Sequence, residues 1–430
     1  MKYIYRFLFL LFGIAACSDD DQGGFKTMMS EKDITFKPIA GGAVMYYKLP
    51  AGLDIYTIQV KYTDAFGNDI RREASYLCDS IVLDGFTEAR RQVPAFISLL
   101  NLEGQASAAL EVAFETADAV PVAFFAEAEV IPAWDGFQLT YKPQEKATGY
   151  AHVFYVGINP HTQKQDTLLL KTFPITKEGD THTFTLQQKS NTNTVVVRTE
   201  DFRGNRVKQQ VWKNVEAYKM EQMNPSDFEF LDPLGMSMED ENYAVGIKYL
   251  FDGDKKGERC LGVSGDLYYT FLSKPGAVGK HWIVDLQEEK VPASVRLYGM
   301  FRVGNRGWIW GNKYANKVPN EMTIYGSNDK DDDASWEKIG YFHQFPEANT
   351  EEDNWAYWCD QYLNGMGAVE LHHLEGKAPN CMNVDIKASP NRYRYLKLEV
   401  NSVFKNMGWG DTNPSQYVTF HELEVYVKQE

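Results

Sequence analysis

The chain has 430 residues, a length that sets an expectation of about two to four domains. With 44% hydrophobic and 14% aromatic residues it can build packed cores, so a wholly disordered chain is excluded. A formal net charge of -15 argues against nucleic acid or anionic lipid as the main partner, because phosphate binding needs basic patches; an acidic surface suits a domain that binds neutral ligands.

The first residues carry an export signal. Lys2 and Arg6 precede the apolar run 7–16, which is too short to span a bilayer and has the charge-then-apolar order of a signal peptide. Ile14-Ala15-Ala16-Cys17 resembles the lipobox of bacterial lipoproteins, which implies a signal peptide over 1–17 ending at a lipidated Cys17; an ordinary cleaved signal peptide with a chance cysteine is the alternative. The following Ser18-Asp19-Asp20-Asp21 resembles the acidic signal that sends lipoproteins of some Gram-negative glycan foragers to the exterior. The expected location is therefore the outer membrane, lipid-anchored and facing outward. Residues 18–33, polar and glycine-containing, read as a flexible tether.

Of five cysteines, four remain once Cys17 is lipidated: Cys78, Cys260, Cys359 and Cys381. An exported compartment permits disulfides, and Cys359 with Cys381 is the plausible pair because both lie in one domain with a loop-rich segment between them. Buried thiols are the alternative. No Cys/His spacing suggests zinc.

Residues 34–120 show short alternating stretches (43–47, 55–60, 80–83, 109–112) separated by turn formers such as Gly41-Gly42 and Phe66-Gly67-Asn68. They predict a small fibronectin-like β-sandwich, and 121–223 predict a second. Stretch 41–50 echoes 134–143, and Tyr62-Thr63-Asp64-Ala65-Phe66-Gly67-Asn68 echoes Thr199-Glu200-Asp201-Phe202-Arg203-Gly204-Asn205, though the two echoes do not share one register. A linker is expected at Val120-Pro121, where the residue before proline favours extended backbone. His152, His161 and His182 are scattered among polar residues and assemble no chemistry.

From 224 to 430 the composition shifts: seven of the nine tryptophans fall here. Trp282, Val284 and Leu286, then Val295, Leu297 and Phe301, then Met322 and Ile324, alternate with period 2, as do 395–400 and 422–427; these predict half-buried antiparallel strands and an all-β fold. The order L-F-D-G-D, W-I-V-D-L, V-R-L-Y followed by Arg302, V-P-N-E-M-T-I-Y-G-S-N-D with Trp336, and H-E-L-E-V-Y is similar to the discoidin, or coagulation factor 5/8 type C, domain. That resemblance covers nearly all of 240–430 and implies a galactose-binding-like β jelly roll. The whole arrangement resembles surface lipoproteins of glycan-utilisation loci. A departure from the pattern is the long insert from Phe345 to Asn383, with Trp355, Trp358 and both late cysteines.

Two sites follow. Aromatic faces stack on the C–H face of a pyranose while arginine and amide groups fix its hydroxyls, so Arg302, Arg306, Trp308, Trp310, Asn312, Tyr314 and Trp409 are the carbohydrate-binding candidates. Plugging of the barrel end by the same tryptophans is the competing reading. Asp252-Gly253-Asp254 offers hard oxygens around a tight turn for a structural Ca²⁺, which the resemblance completes with Glu422; a D-G turn without an ion is the alternative. No G-x-S-x-G, phosphate loop or H-E-x-x-H occurs. The expected function is non-catalytic capture of polysaccharide or oligosaccharide beside outer-membrane glycan-uptake proteins. A structural or adhesive subunit binding a protein is the second reading, and a glycosidase, which needs only two convergent carboxylates, the third.

Overall fold

The structure, a computed structural model, describes residues 27–430 other than 52–53, 143, 145–147, 187–189, 262–266, 302–314, 349, 360–371, 373–374 and 406–415. The chain is all-β, as the alternation predicts, and builds three successive sandwiches.

The first sandwich contains β1 (Ile34–Ile39), β2 (Gly42–Tyr47), β3 (Thr57–Thr63), β4 (Asp69–Ser75), β5 (Ser80–Asp84), β6 (Val93–Leu100) and β7 (Leu110–Phe114), paired as sheets β1-β2-β5 and β4-β3-β6-β7. Val93, Ala95, Ile97 and Leu99 of β6 point inward by strict alternation and meet Met45, Leu83, Ile58 and Val60 in one core. Strands β4 and β6 are absent from the sequence reading for opposite reasons. The first is mostly charged, with Ile70, Arg72 and Ala74 half-buried, and the second is apolar on both faces and carries Pro94.

The short helix α1 (Val120–Ala123) corrects the expected linker. Pro121 sits in its first turn, where a missing N–H removes nothing from the helical ladder, and Val120 and Phe124 are buried in the second core. The second sandwich follows as β8 (Glu129–Trp134), β9 (Gly136–Tyr141), β10 (Tyr150–Ile158), β11 (Gln165–Pro174), β12 (Asp180–Thr185), β13 (Thr192–Glu200) and β14 (Arg206–Tyr218), in the order β11-β10-β13-β14-β8-β9-β12. A short parallel pairing of β14 with β8 closes its two halves. His182, expected among polar residues, is buried against the Phe173 ring with centroids 4.0 Å apart, and burial holds its pKa below the ordinary imidazole value.

Both sequence echoes have structural meaning, and they differ in kind. Stretches 41–50 and 134–143 are the same element, the second strand of each sandwich, entered through Gly41 (φ 74) in one and Asp135 (φ 55) in the other. The D-x-x-G-N stretches are the same turn in different places: β3 to β4 in the first sandwich, β13 to β14 in the second. That difference of place is why the two echoes have unequal spacing.

The C-terminal domain contains β15 (Met220–Gln222), β16 (Glu229–Leu231), helix α2 (Glu258–Leu261), β17 (Phe271–Leu272), β18 (His281–Lys290), β19 (Pro292–Gly299), β20 (Pro319–Ser327), β21 (Glu337–His343), β22 (Asn380–Asp385), β23 (Tyr393–Val403), β24 (Thr419–Phe420) and β25 (Glu422–Lys428). Sheets β15-β25-β19-β22 and β16-β18-β23-β20-β21 face each other over Trp282, Leu297, Ile324, Leu398 and Val425. The expected insert is therefore shorter than it looked in sequence: its last residues, from Asn380, form strand β22. Trp355 donates its indole N–H to Pro319 O (2.8 Å) and packs on the core, so it is not a surface ring. No disulfide joins Cys359 to Cys381. Cys359 lies in the small core beneath the strand ends, whereas Cys381 alternates to the outer face with its neighbour Tyr298.

Candidate functional site

Strand direction assigns the loops to one end. Strand β19 ends at Gly299 beside Asn380, the first residue of β22, and its Tyr298 pairs with Glu422, the first residue of β25. Strand β23 ends at Val403 opposite Pro319, where β20 begins. Phe301, Cys359 and Lys405, each adjoining a segment outside the described residues, thus belong with Glu422 to one end of the sandwich. The opposite end meets the second sandwich, where β15 pairs with the far part of β25 and the Trp134 indole donates to Ile386 O (2.7 Å).

The expected binding residues Arg302, Arg306, Trp308, Trp310, Asn312, Tyr314 and Trp409, and the lipid-bearing Cys17, lie outside the described residues. Asp252, Asp254 and Glu422 are described, at this loop-bearing end. Asp252, Asp254, Lys255, Lys256, Arg259 and Pro379 line an open groove of about 480 Å³ there. Beside it, Arg259 lies 3.9 Å over the Tyr269 ring and 3.3 Å from Asp252 Oδ2, and Tyr249 meets Tyr269 edge-on at 5.7 Å. Tyr269 holds a left-handed backbone (φ 50), a strained conformation for a residue with a Cβ. Ring faces, a guanidinium and carboxylates together are the chemistry that grips a sugar's apolar face and its hydroxyls. The sequence reading missed these tyrosines because each sits in an apolar stretch that reads as core.

The carboxylates do not fit a calcium ion. Asp254 Oδ1 accepts from the Glu258 amide (2.8 Å) and Oδ2 from the Arg259 amide (2.8 Å), capping α2, and His421 Nε2 lies 3.6 Å from Oδ2. Burial pushes the Asp254 pKa up, but the His421 imidazole and the amides outweigh burial and hold the carboxyl well below the usual range. With the Lys256 amide also directed at Oδ1 (3.3 Å), these groups already face the lone pairs that a hard cation would use. Lys255 pairs with the buried Glu424, which also accepts from the Tyr298 hydroxyl (2.6 Å), so a basic side chain already occupies the acidic corner. Glu422 accepts from the Gly253 amide (3.2 Å); burial first, then the Asp252 charge, push it up to about 8, so it stays protonated at neutral pH. Among the described residues no group of three His, Cys, Asp or Glu side chains is gathered to hold a metal ion.

Comparison with known proteins adds the following. A family model described as a domain of unknown function (DUF4959) matches residues 30–116, which span the first sandwich. No curated protein matches the chain. Among solved structures the chain is similar to a SusE-like protein, at 13% identity and a TM-score of 0.40, over 71% of this chain and 97% of that one. It is also similar to the CBM32-1 module of a family 31 glycoside hydrolase from Clostridium perfringens, at 17% identity and a TM-score of 0.25, over 47% of this chain and 95% of that one. A two-domain fibronectin type-III segment of chicken tenascin is similar at 14% identity and a TM-score of 0.20, over 42% of this chain and 97% of that one. No described helix is long and apolar enough to cross a membrane.

Proposed function

We propose that this chain is a non-catalytic, lipid-anchored surface protein that binds glycan at the loop-bearing end of its C-terminal sandwich. The observation that carries the reading is the common end. The described groove, with Arg259, Asp252 and the Tyr249 and Tyr269 rings close by, shares that end with the residues adjoining 302–314 and 406–415, away from the second sandwich. In this reading Cys17 holds the chain at the outer membrane, the two sandwiches act as a spacer, and the aromatic end captures polysaccharide for neighbouring uptake proteins. Sugar binding uses such mixed surfaces because stacking alone does not fix the hydroxyls and hydrogen bonds alone compete poorly with water.

The test is retention of the full chain in native gels cast with a panel of plant, fungal and host polysaccharides. At least one polysaccharide is expected to retard the protein, and Trp308→Ala with Trp310→Ala, or Tyr269→Ala, to weaken the retardation. Binding of no glycan, together with capture of an outer-membrane uptake protein, would replace this reading with the adhesive one. Release of reducing sugar from a retarding polysaccharide would make the chain a glycosidase.

A further inference from the structure

Strand β21 bears a feature the loop-end reading does not use. It ends Tyr341-Phe342-His343 and is continued past the strand by Gln344-Phe345, so that aromatic rings point to both sides. Phe342 packs on the core, Tyr341 and His343 alternate outward, and Phe345, just past the strand, is exposed as well. Tyr341 is 49% exposed and Phe345 75%, a large apolar exposure for three consecutive outward positions. The rings form a twisted row: Tyr341 and His343 have centroids 6.4 Å apart with planes within 4° of parallel, and the Phe345 ring turns to 68° from His343 at 5.8 Å. Polar groups flank the first ring. The Tyr341 hydroxyl donates to Glu321 Oε1 (2.8 Å), and the Lys338 ammonium lies 4.1 Å over the ring.

We propose that the outer face of β21 is a second glycan-binding surface, a ring ladder along which an extended polysaccharide chain stacks its successive sugar units on the way to the loop-bearing end. The proposal rests on the glycan reading above and names its ligand more closely: a linear, uncharged chain bound along its length. Direction supports it. Phe345 leads to Pro346, whose carbonyl accepts from the Lys405 amide, the residue adjoining 406–415, so the row runs from mid-sheet to the end already assigned. Beside Tyr341 the Glu321 and Lys338 charges offset each other, in keeping with an uncharged chain. Strand β21 is the edge of its sheet and meets the other sheet through a bridge from Gly340 to Ile386, so pairing with a second copy is the competing occupant that sedimentation tests.

The experiment uses the full chain, a polysaccharide that retards it in the panel above, and oligosaccharides of two and of six units prepared from that polysaccharide. Wild-type protein is expected to bind the six-unit chain at least about tenfold more tightly than the two-unit one. Tyr341→Ala with Phe345→Ala is expected to erase that gain while leaving two-unit binding and the melting temperature unchanged, and Tyr341→Phe with Phe345→Tyr to keep it. Equal affinities of wild type for both lengths, or an unaltered gain in the alanine variant, would overturn the ladder and leave the loop-end site intact. A concentration-dependent dimer in sedimentation that the alanine variant abolishes would overturn it in favour of a self-association surface. Failure of every polysaccharide to retard the protein is a separate result, and it removes the glycan reading itself.

Discussion

The acidic corner at the head of β25 shows how single residues decide chemistry that a motif only suggests. Asp252, Asp254 and Glu422 suggest a cation site in sequence, yet amides and His421 answer Asp254, Arg259 answers Asp252, and Glu422 is held protonated. Sequence reveals the carboxylates but not Lys255, since no periodicity says that a lysine three residues beyond Asp252 reaches Glu424 on a distant strand. Chelation by EGTA is therefore expected to leave the melting temperature unchanged. Lys255→Met, which strands a buried carboxylate, should cost about 1–3 kcal/mol in denaturant unfolding. Glu422 also makes a pH prediction. Its folded pKa, about 8, lies above its ordinary 4.5, so its contribution is fully present below about pH 4.5, declines as pH rises, and is lost above 8. Glu422→Gln should accordingly raise the melting temperature at pH 8.5 relative to wild type while giving no gain at pH 4.5. An equal shift at both values would mean that the carboxyl ionises normally in the fold.

At the scale of elements, the D-x-x-G-N turn shows what a local signal can and cannot fix. Asp64 Oδ1 accepts from the Phe66 and Asn68 amides and Oδ2 from the Asn68 side chain; Asp201 repeats this with Arg203 and Asn205. Gly67 (φ 81) and Gly204 (φ 86) supply the left-handed step each turn requires. Such chemistry is legible in sequence because all its parts are local. Which strands the turn joins is set by tertiary pairing and is not. The environments also diverge: the Asp64 side chain is fully buried and lies 3.5 Å from Arg203 of its twin turn, which ties the two sandwiches together. Asp64→Ala should therefore destabilise the protein by about 2–3 kcal/mol and Asp201→Ala by about 1 kcal/mol, compared by chemical denaturation. Strands with one clean apolar face, such as β18 and β25, were visible from alternation. Strand β21 was not, because rings on both its faces blur the period, and that same feature gives it an unburied aromatic row.

Across the whole molecule, the junctions determine where the binding end points. Between the first two sandwiches, Arg203 reaches Asp64 and Asp84. Between the second sandwich and the C-terminal domain, Lys219 pairs with Asp135, Lys428 pairs with Glu216, and Trp134 bonds to Ile386 O. Most telling is β15. Composition places the last boundary at 224, but Met220, Glu221 and Gln222 already pair with Lys428, Val427 and Tyr426, and Met223 is buried in the C-terminal core. A strand of three residues is too short for a period to show, so this boundary could not be read from alternation. The chain leaving the second sandwich thus becomes the edge strand of the third, and it covers β25 along the half remote from Glu422. A fragment spanning 219–430 should then fold with a higher melting temperature than one spanning 224–430, by several degrees, because the shorter piece exposes the β25 edge and leaves a cavity at Met223. The shorter piece should also form soluble oligomers in size-exclusion chromatography that the longer one does not. Equal melting temperatures would mean that β15 is a passive linker, and the orientation of the binding end would then depend on Trp134 and the flanking ion pairs alone.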